Sequence, residues 1–263
     1  MDFPRVRGVP YLTTEQMREV DRAMIEDYGI QLIQMMENAG RALATLARAR
    51  FLEGNPRQLR VVVLAGTGGN GGGALVCARH LHNYGADVLV VVTKEDDAFA
   101  PVPGHQLAIL RRMQVPVIRA ETLVQTRPPN GNPAAGSGAG HGPGGPLALI
   151  VDGIIGYSLQ GAPRGAAADL IRWANCQGAP TLALDAPSGV DTTSGTVFDP
   201  AIRAAATMTL ALPKAGLRAT GVAEFTGELY LADISVPPAL YAGPGLGLHV
   251  GPIFAESGIV RLS

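Results

Sequence analysis

The chain has 263 residues, which suits one large α/β domain or two small ones. Hydrophobic residues make up 47% and aromatics 5%, and 21 basic against 22 acidic side chains leave a net charge of −1. Such a chain can build a substantial core, but it has no single-sign field for a polyanion and few rings for base stacking, so nucleic acid and anionic lipid are not indicated as partners.

In chain order, the opening "MDFPRVRGVPYL" has no apolar core of a signal peptide, and no apolar run reaches the roughly 18 residues that span a bilayer. A cytoplasmic protein is expected. "LTTEQMREVDRAMIEDYGI" opens a helix, with Thr13 and Gln16 placed as a capping box and Gly29 as its stop. "LIQMMENAGRALATLARARFL" resumes a helix. "LRVVVLAG" reads as a buried strand closed by glycine. A glycine-rich turn follows, and its helix is expected to begin near Gly72 and run through "ALVCARHLHNYG". "ADVLVVVT" and "VPVIRA" are strands flanking a short helix, "GHQLAILRRMQ". "PLALIVDGIIG", "PTLALDAPSG", "ATMTLALP" and "GELYLADIS" supply four more strand cores, and "RGAAADLIRWANCQG" is helical. Strands alternating with helices predict an α/β fold, a mostly parallel sheet covered on both faces.

The stretch 126–146, "TRPPNGNPAAGSGAGHGPGGP", is expected to be a flexible surface insertion carrying an idle His141, because it has too little side chain to offset its ordering entropy. Cys77 and Cys176 lie far apart without metal-ligand spacing, and both are expected to be reduced thiols in the core. His80 and His82, two apart on one helix, do not share a face and read as structural or surface residues.

"AGTGGNGGGALVCARHL" (65–81) holds glycines at 66, 68, 69, 71, 72 and 73. Gly66, Gly68 and Gly71 satisfy G-x-G-x-x-G between strand and helix, the setting in which main-chain N–H groups receive a phosphate. By itself that suggests a dinucleotide-binding turn, with Glu95 the candidate ribose acid, although "TKEDD" also reads as a solvated loop. No Lys-Ser/Thr pair follows, so a Walker A loop is excluded. Further on, Asp152 ends one strand, Asp185 the next with Ser188 and Asp191 behind it, and Pro213-Lys214 another. The carboxyl ends of strands form the ligand crevice in open α/β sheets. Taken singly, the aspartates and Ser188 also fit turn capping, and Lys214 a solvated loop charge.

Together, "LTTEQMREVDRAMIEDYGI…MMENAGRALA", the glycine loop into "LVCARHL", "VDGIIG", "LDAPSGVD", "TLALPKAGL" and "GELYLADISVP" resemble the YjeF N-terminal domain family in its stand-alone form. The resemblance runs from about residue 12 to about residue 240 of the chain. It implies a single domain over 1–263 with a Rossmann-like three-layer α/β/α sandwich. The activity it implies is NAD(P)H-hydrate epimerase, interconverting the R and S forms of NADHX and NADPHX in nicotinamide nucleotide repair. A separate dehydratase would be its functional partner, and a homodimer its assembly. By motif, Gly69, Asn70, Gly71, Gly72 and Gly73 would bind substrate, as would Gly156, Tyr157, Ser158, Leu159, Gln160, Gly161 and Ala162, and Asp185. Asp185 would be the catalytic acid/base. Asn70, Asp152 and Ser188 would hold K+.

Two loops depart from the family pattern. G-x-G-N-N-G-G-D-G is here "GTGGNGGGA", so Gly69 replaces an Asn and Gly73 an Asp; G-T-G-L is here "GYSL". The altered loops also suit a catalytically inactive YjeF-type module for nucleotide binding or dimerisation. The bare glycine motif leaves a dehydrogenase as a third reading.

Overall fold

In a computed structural model, described over residues 2–125 and 146–263, helix α1 (Thr14–Glu26) starts at the expected capping box. Thr13 Oγ1 accepts from the Gln16 N–H at 3.2 Å, and Gln16 Oε1 accepts from the Thr13 N–H at 2.9 Å. Gly29, with φ 69°, turns the chain after it. Helix α2 (Leu32–Arg50) leads to strand β2 (Arg60–Ala65). Helix α3 (Gly69–Asn83), β3 (Asp87–Val92), α4 (Pro101–Arg112) and β4 (Val117–Arg119) follow in the expected order. A short helix not read there, α5 (Ala120–Gln125), comes next. Apart from Pro146, the expected insertion at 126–146 lies outside the described residues.

Beyond it run β5 (Leu147–Gly153), α6 (Gly165–Asn175), β6 (Thr181–Leu184), β7 (Ala206–Leu210) and β8 (Glu228–Ala232). Short elements absent from the sequence reading complete the chain: β1 (Arg5–Val6), α7 (Ala223–Thr226), α8 (Pro238–Ala242) and β9 (Ile259–Leu262). The nine strands of the described residues form one sheet in the order β1-β9-β8-β7-β6-β5-β2-β3-β4. Every neighbouring pair is parallel except β8 and β9.

The layers follow from the period-2 alternation of strands. Val61, Val63 and Ala65 of β2 face α2, α3 and α4, packing with Leu43, Leu75, Leu81 and Leu107. Val62 and Leu64 face α5 and α6, packing with Leu170 and Ile171. Both faces are dry, which is why these strands are nearly continuous runs of apolar residues. A third cluster joins Met17, Val20 and Met24 of α1 to Leu212, Ile234 and Tyr241 beyond the strand ends.

Two expectations are corrected. Helix α3 starts at Gly69, not near Gly72, so the glycine run is the helix's own first turn. The bare backbone serves close packing: a Cβ on Gly71 would lie 1.8 Å from the Gly66 carbonyl oxygen, and one on Gly73 would lie 2.8 Å from a Leu184 methyl. Cys77 is buried, as expected, but Cys176 is exposed. It occupies the C-cap of α6, where the chain leaves the helix toward solvent.

Candidate active site

The strand order reverses between β2 and β5: from β2 the chain moves outward to β3 and β4, and from β5 in the opposite direction. Crevices in open α/β sheets form at such points. Here a cleft of about 420 Å³ opens beside the first turn of α3, over the ends of β6 and β7, with α1 and α2 as its other walls. Met17, Met35, Met36, Ala39, Leu184 and Ile234 make much of its surface apolar.

Asp185 stands at the floor, one residue past β6. Its φ of 65° places it in the left-handed region, which an aspartate tolerates better than most side chains. Asp185 Oδ1 accepts from Lys214 Nζ, and Oδ2 accepts from the Tyr157 N–H at 3.2 Å. Lys214 follows β7 and also donates to the Leu210 carbonyl at 2.9 Å. Its side chain is 0% exposed and that of Asp185 5%, so this is a buried ion pair lining a cleft. The solvated-loop alternative for Lys214 is thereby ruled out.

Asp21, on the α1 wall, was not singled out in the sequence, because one acidic residue on an amphipathic helix carries no signal of its own. The Tyr157 hydroxyl donates to Asp21 Oδ2. Burial raises the Asp21 carboxyl above its ordinary value, and burial likewise raises the Tyr157 phenol. Tyr157 thus touches both carboxylates, one through its backbone and one through its hydroxyl.

Beneath the cleft, Asp152, the next-to-last residue of β5, is fully buried. It accepts from Ser188 Oγ at 2.6 Å, from the Ser188 N–H at 2.8 Å and from the Ile154 N–H at 3.1 Å. Burial nevertheless pushes its carboxyl up to about 6. Asn70 lies beside this strand end, since a Cβ on Gly153, the residue after Asp152, would sit 3.2 Å from the Asn70 carbonyl oxygen, and one on Gly156 would sit 3.2 Å from its Oδ1. Among the described residues the buried Asn70 Nδ2 has no hydrogen-bond partner. The amide Oδ1, a hydroxyl and one carboxylate are hard oxygen donors of low total charge. That donor set fits a monovalent cation better than a transition metal. Among the described residues no group of three or more His, Cys, Asp or Glu side chains could hold a metal ion.

Of the other expected positions, Gly69, Gly73, Gly156 and Ser158 line the cleft. Gly71 and Gly72 are packed inward, against Gly66 and Met36. Leu159, Gln160, Gly161 and Ala162 continue the loop away from the lining. Asp191 closes a turn, its Oδ1 accepting from the N–H groups of Thr193 and Ser194. Glu95 is tied to Arg119 on the surface, and His80 to Glu37 at 2.9 Å. No helix among the described residues is long and apolar enough to cross a membrane.

The chain is 40% identical to the NAD(P)H-hydrate epimerase of Dehalogenimonas lykanthroporepellens, over 98% of this chain and 94% of that protein. It is 34% identical to the NAD(P)H-hydrate epimerase of Truepera radiovictrix, over 92% and 97%. It is also 37% identical to the bifunctional NAD(P)H-hydrate repair enzyme Nnr of Salinibacter ruber, matching 87% of this chain but only 41% of that protein. The crystal structure of the yeast protein ynu0 superposes with a TM-score of 0.77 over 97% of this chain and all of that one, at 24% identity, which bears on the fold alone. The family model described as the YjeF-related protein N-terminus matches residues 32–216. With that model covering most of the sheet and the whole cleft floor, the chain belongs to the YjeF N-terminal family.

Proposed function

We propose that the chain is an NAD(P)H-hydrate epimerase, an isomerase that interconverts the R and S forms of NADHX and NADPHX. The observation that carries this reading is the buried Asp185–Lys214 pair at the floor of a cleft beside the α3 N-terminus. A dead scaffold has no need of a desolvated ion pair in an open cleft, since such pairs are weak sources of stability. A dehydrogenase reading finds no support: Glu95, its candidate ribose acid, is engaged elsewhere.

The hydrate carries a hydroxyl on C6 beside ring nitrogen N1. The N1 lone pair can expel that hydroxyl as water once it is protonated, leaving a planar iminium to which water returns on either face. Asp185 gives or takes the proton at the C6 oxygen. Lys214 compensates its charge among apolar walls and fixes one carboxylate oxygen. The pyrophosphate rests against the first turn of α3, where helical N–H groups lack intrahelical partners. Tyr157 and Ser158 border the ring site, with Met36 and Leu184 as its apolar lining.

Potassium fits the oxygen set of Asn70, Asp152 and Ser188. Bound there, it would supply positive charge to offset Asp152. A dehydratase acting on one epimer is the functional partner, a reading supported by relatives named as bifunctional repair enzymes. We place the protein in the cytoplasm, where its substrates form, as a single domain. Exposed Ile25, Tyr28, Leu32 and Ile33 offer a surface for a homodimer.

The test uses NADHX from which a dehydratase has removed the S form. Adding this protein with K+ should consume the remaining R form faster than in its absence. A rate equal to the protein-free control, with NADHX and NADPHX alike, would refute the proposal.

A further inference from the structure

Epimerisation at C6 by loss and return of water takes water away from one face of the ring and delivers it to the other. A single carboxylate serves one face. The cleft holds two, on different walls: Asp185 at the end of β6 and Asp21 on α1. Tyr157 spans them, its N–H on Asp185 Oδ2 and its hydroxyl on Asp21 Oδ2. They therefore stand at the two ends of one tyrosine, at its backbone and at its hydroxyl. Inverting glycoside chemistry separates its two carboxyl groups by about 6.5–9.5 Å for a related reason, so that ring and water fit between them.

Resting on the epimerase reading, we infer that Asp21 is a second catalytic acid/base, working on the ring face opposite Asp185, with Tyr157 as the positioning residue that aims it. In one direction protonated Asp21 gives its proton to the departing C6 oxygen. The C6–O bond breaks, and the N1 lone pair becomes the second bond of the iminium. A water on the opposite face adds its oxygen to C6 and gives a proton to Asp185, while the N1=C6 electrons return to nitrogen. One proton leaves Asp21 and one arrives on Asp185, so charge and atoms balance. The reverse direction uses the same groups with roles exchanged, and solvent resets them. Tyr157 keeps one oxygen of Asp21 occupied and leaves Oδ1 for the substrate. The tyrosine, one of this chain's departures from the family loop, thereby acquires a role.

The experiment follows epimerisation and ¹⁸O uptake from labelled water together, in the wild-type protein, Asp21→Asn and Asp185→Asn. Wild type should exchange one oxygen per inversion. Each variant should lose epimerisation by about 100-fold or more. Each should retain exchange on one face only, so that label enters one epimer in Asp21→Asn and the other epimer in Asp185→Asn. Exchange lost on the same face in both variants, on both faces in Asp21→Asn, or an Asp21→Asn protein that epimerises normally overturns the inference. If Asp21→Asn does not fold, Tyr157→Phe carries the test: it keeps the carboxylate, and should slow epimerisation about tenfold and slow Asp21-side exchange more than Asp185-side exchange. Equal slowing of both exchanges by Tyr157→Phe overturns it as well. A wild-type protein that accelerates neither inversion nor exchange fails at the prior step, the epimerase reading itself.

Discussion

Replacing Lys214 by methionine keeps the length of the side chain and removes its charge from a place with no water to substitute for it. Lys214 is 0% exposed and Asp185 5%. Without the ammonium, Asp185 keeps the Tyr157 N–H at 3.2 Å and a long approach to Thr209 Oγ1 at 3.5 Å. Leaving one member of a buried pair uncompensated costs about 3–5 kcal/mol, while removing both charges is close to neutral. Domains are stable by about 5–15 kcal/mol, so either single change should leave the chain marginal. At roughly 2–4 °C per kcal/mol in a domain of this size, Lys214→Met should melt about 6–20 °C below wild type. Asp185→Asn should fall comparably, since asparagine tolerates the left-handed backbone there. The double variant should recover most of the loss. Urea titrations of all four proteins at one pH give the coupling directly. A Lys214→Met protein destabilised by under about 1 kcal/mol, or a double variant whose loss equals the sum of the singles, would refute the uncompensated-charge reasoning.

Gly71→Ala should cost about 3 kcal/mol or more, because the new methyl meets the Gly66 carbonyl, which is backbone and cannot step aside. Gly69→Ala, two residues earlier with no atom of the described residues within 4 Å of its Cβ, should be neutral or slightly stabilising in the same melts. One thiol, Cys176, should react with a thiol reagent in the native protein, and Cys77, whose thiol burial pushes up, only after unfolding. Two equally fast thiols would contradict the packing of α3. Hydrogen bonds from Arg50 lower the Glu228 carboxyl from 4.5 to about 2. A lowered carboxyl stabilises above its ordinary value and loses that stability as pH falls toward 2. Glu228→Gln should therefore melt lower than wild type at pH 7, by about 1 kcal/mol after solvent screening of this half-exposed pair, with the gap closing in acid.

The long elements were legible because each carries a periodic signal: the capping box at Thr13, the unbroken apolar run of β2, the alternation of strand and helix that predicts a parallel sheet. β1, β9, α7 and α8 were not, since two to five residues hold no period and take their form from neighbours already in place. At the site, strand ends marked Asp152, Asp185 and Ser188, because chain order alone brings the ends of a parallel sheet together. Lys214 could be placed at such an end but not given a partner, since its burial is fixed by how β7 leans on β6. Asp21 was invisible for a stronger reason: it comes from a helix more than 130 residues before Tyr157. The glycine run suggested phosphate, and it does form a helix start. Its crowding against Gly66 and Leu184 depends on packing that no local pattern encodes.

The antiparallel turn of β9 also fixes where a tether can be attached. Ile259 pairs with Ala232 near the cleft end of β8, and Arg261 with Tyr230 farther back, so the chain runs away from the cleft as it reaches Ser263. Anything joined after Ser263, whether a surface linker, a reporter or a second enzyme, would leave from the rear of the sheet. A protein immobilised by that end would present its cleft outward, and two catalysts joined there would pass a small molecule through solvent rather than through a shared wall.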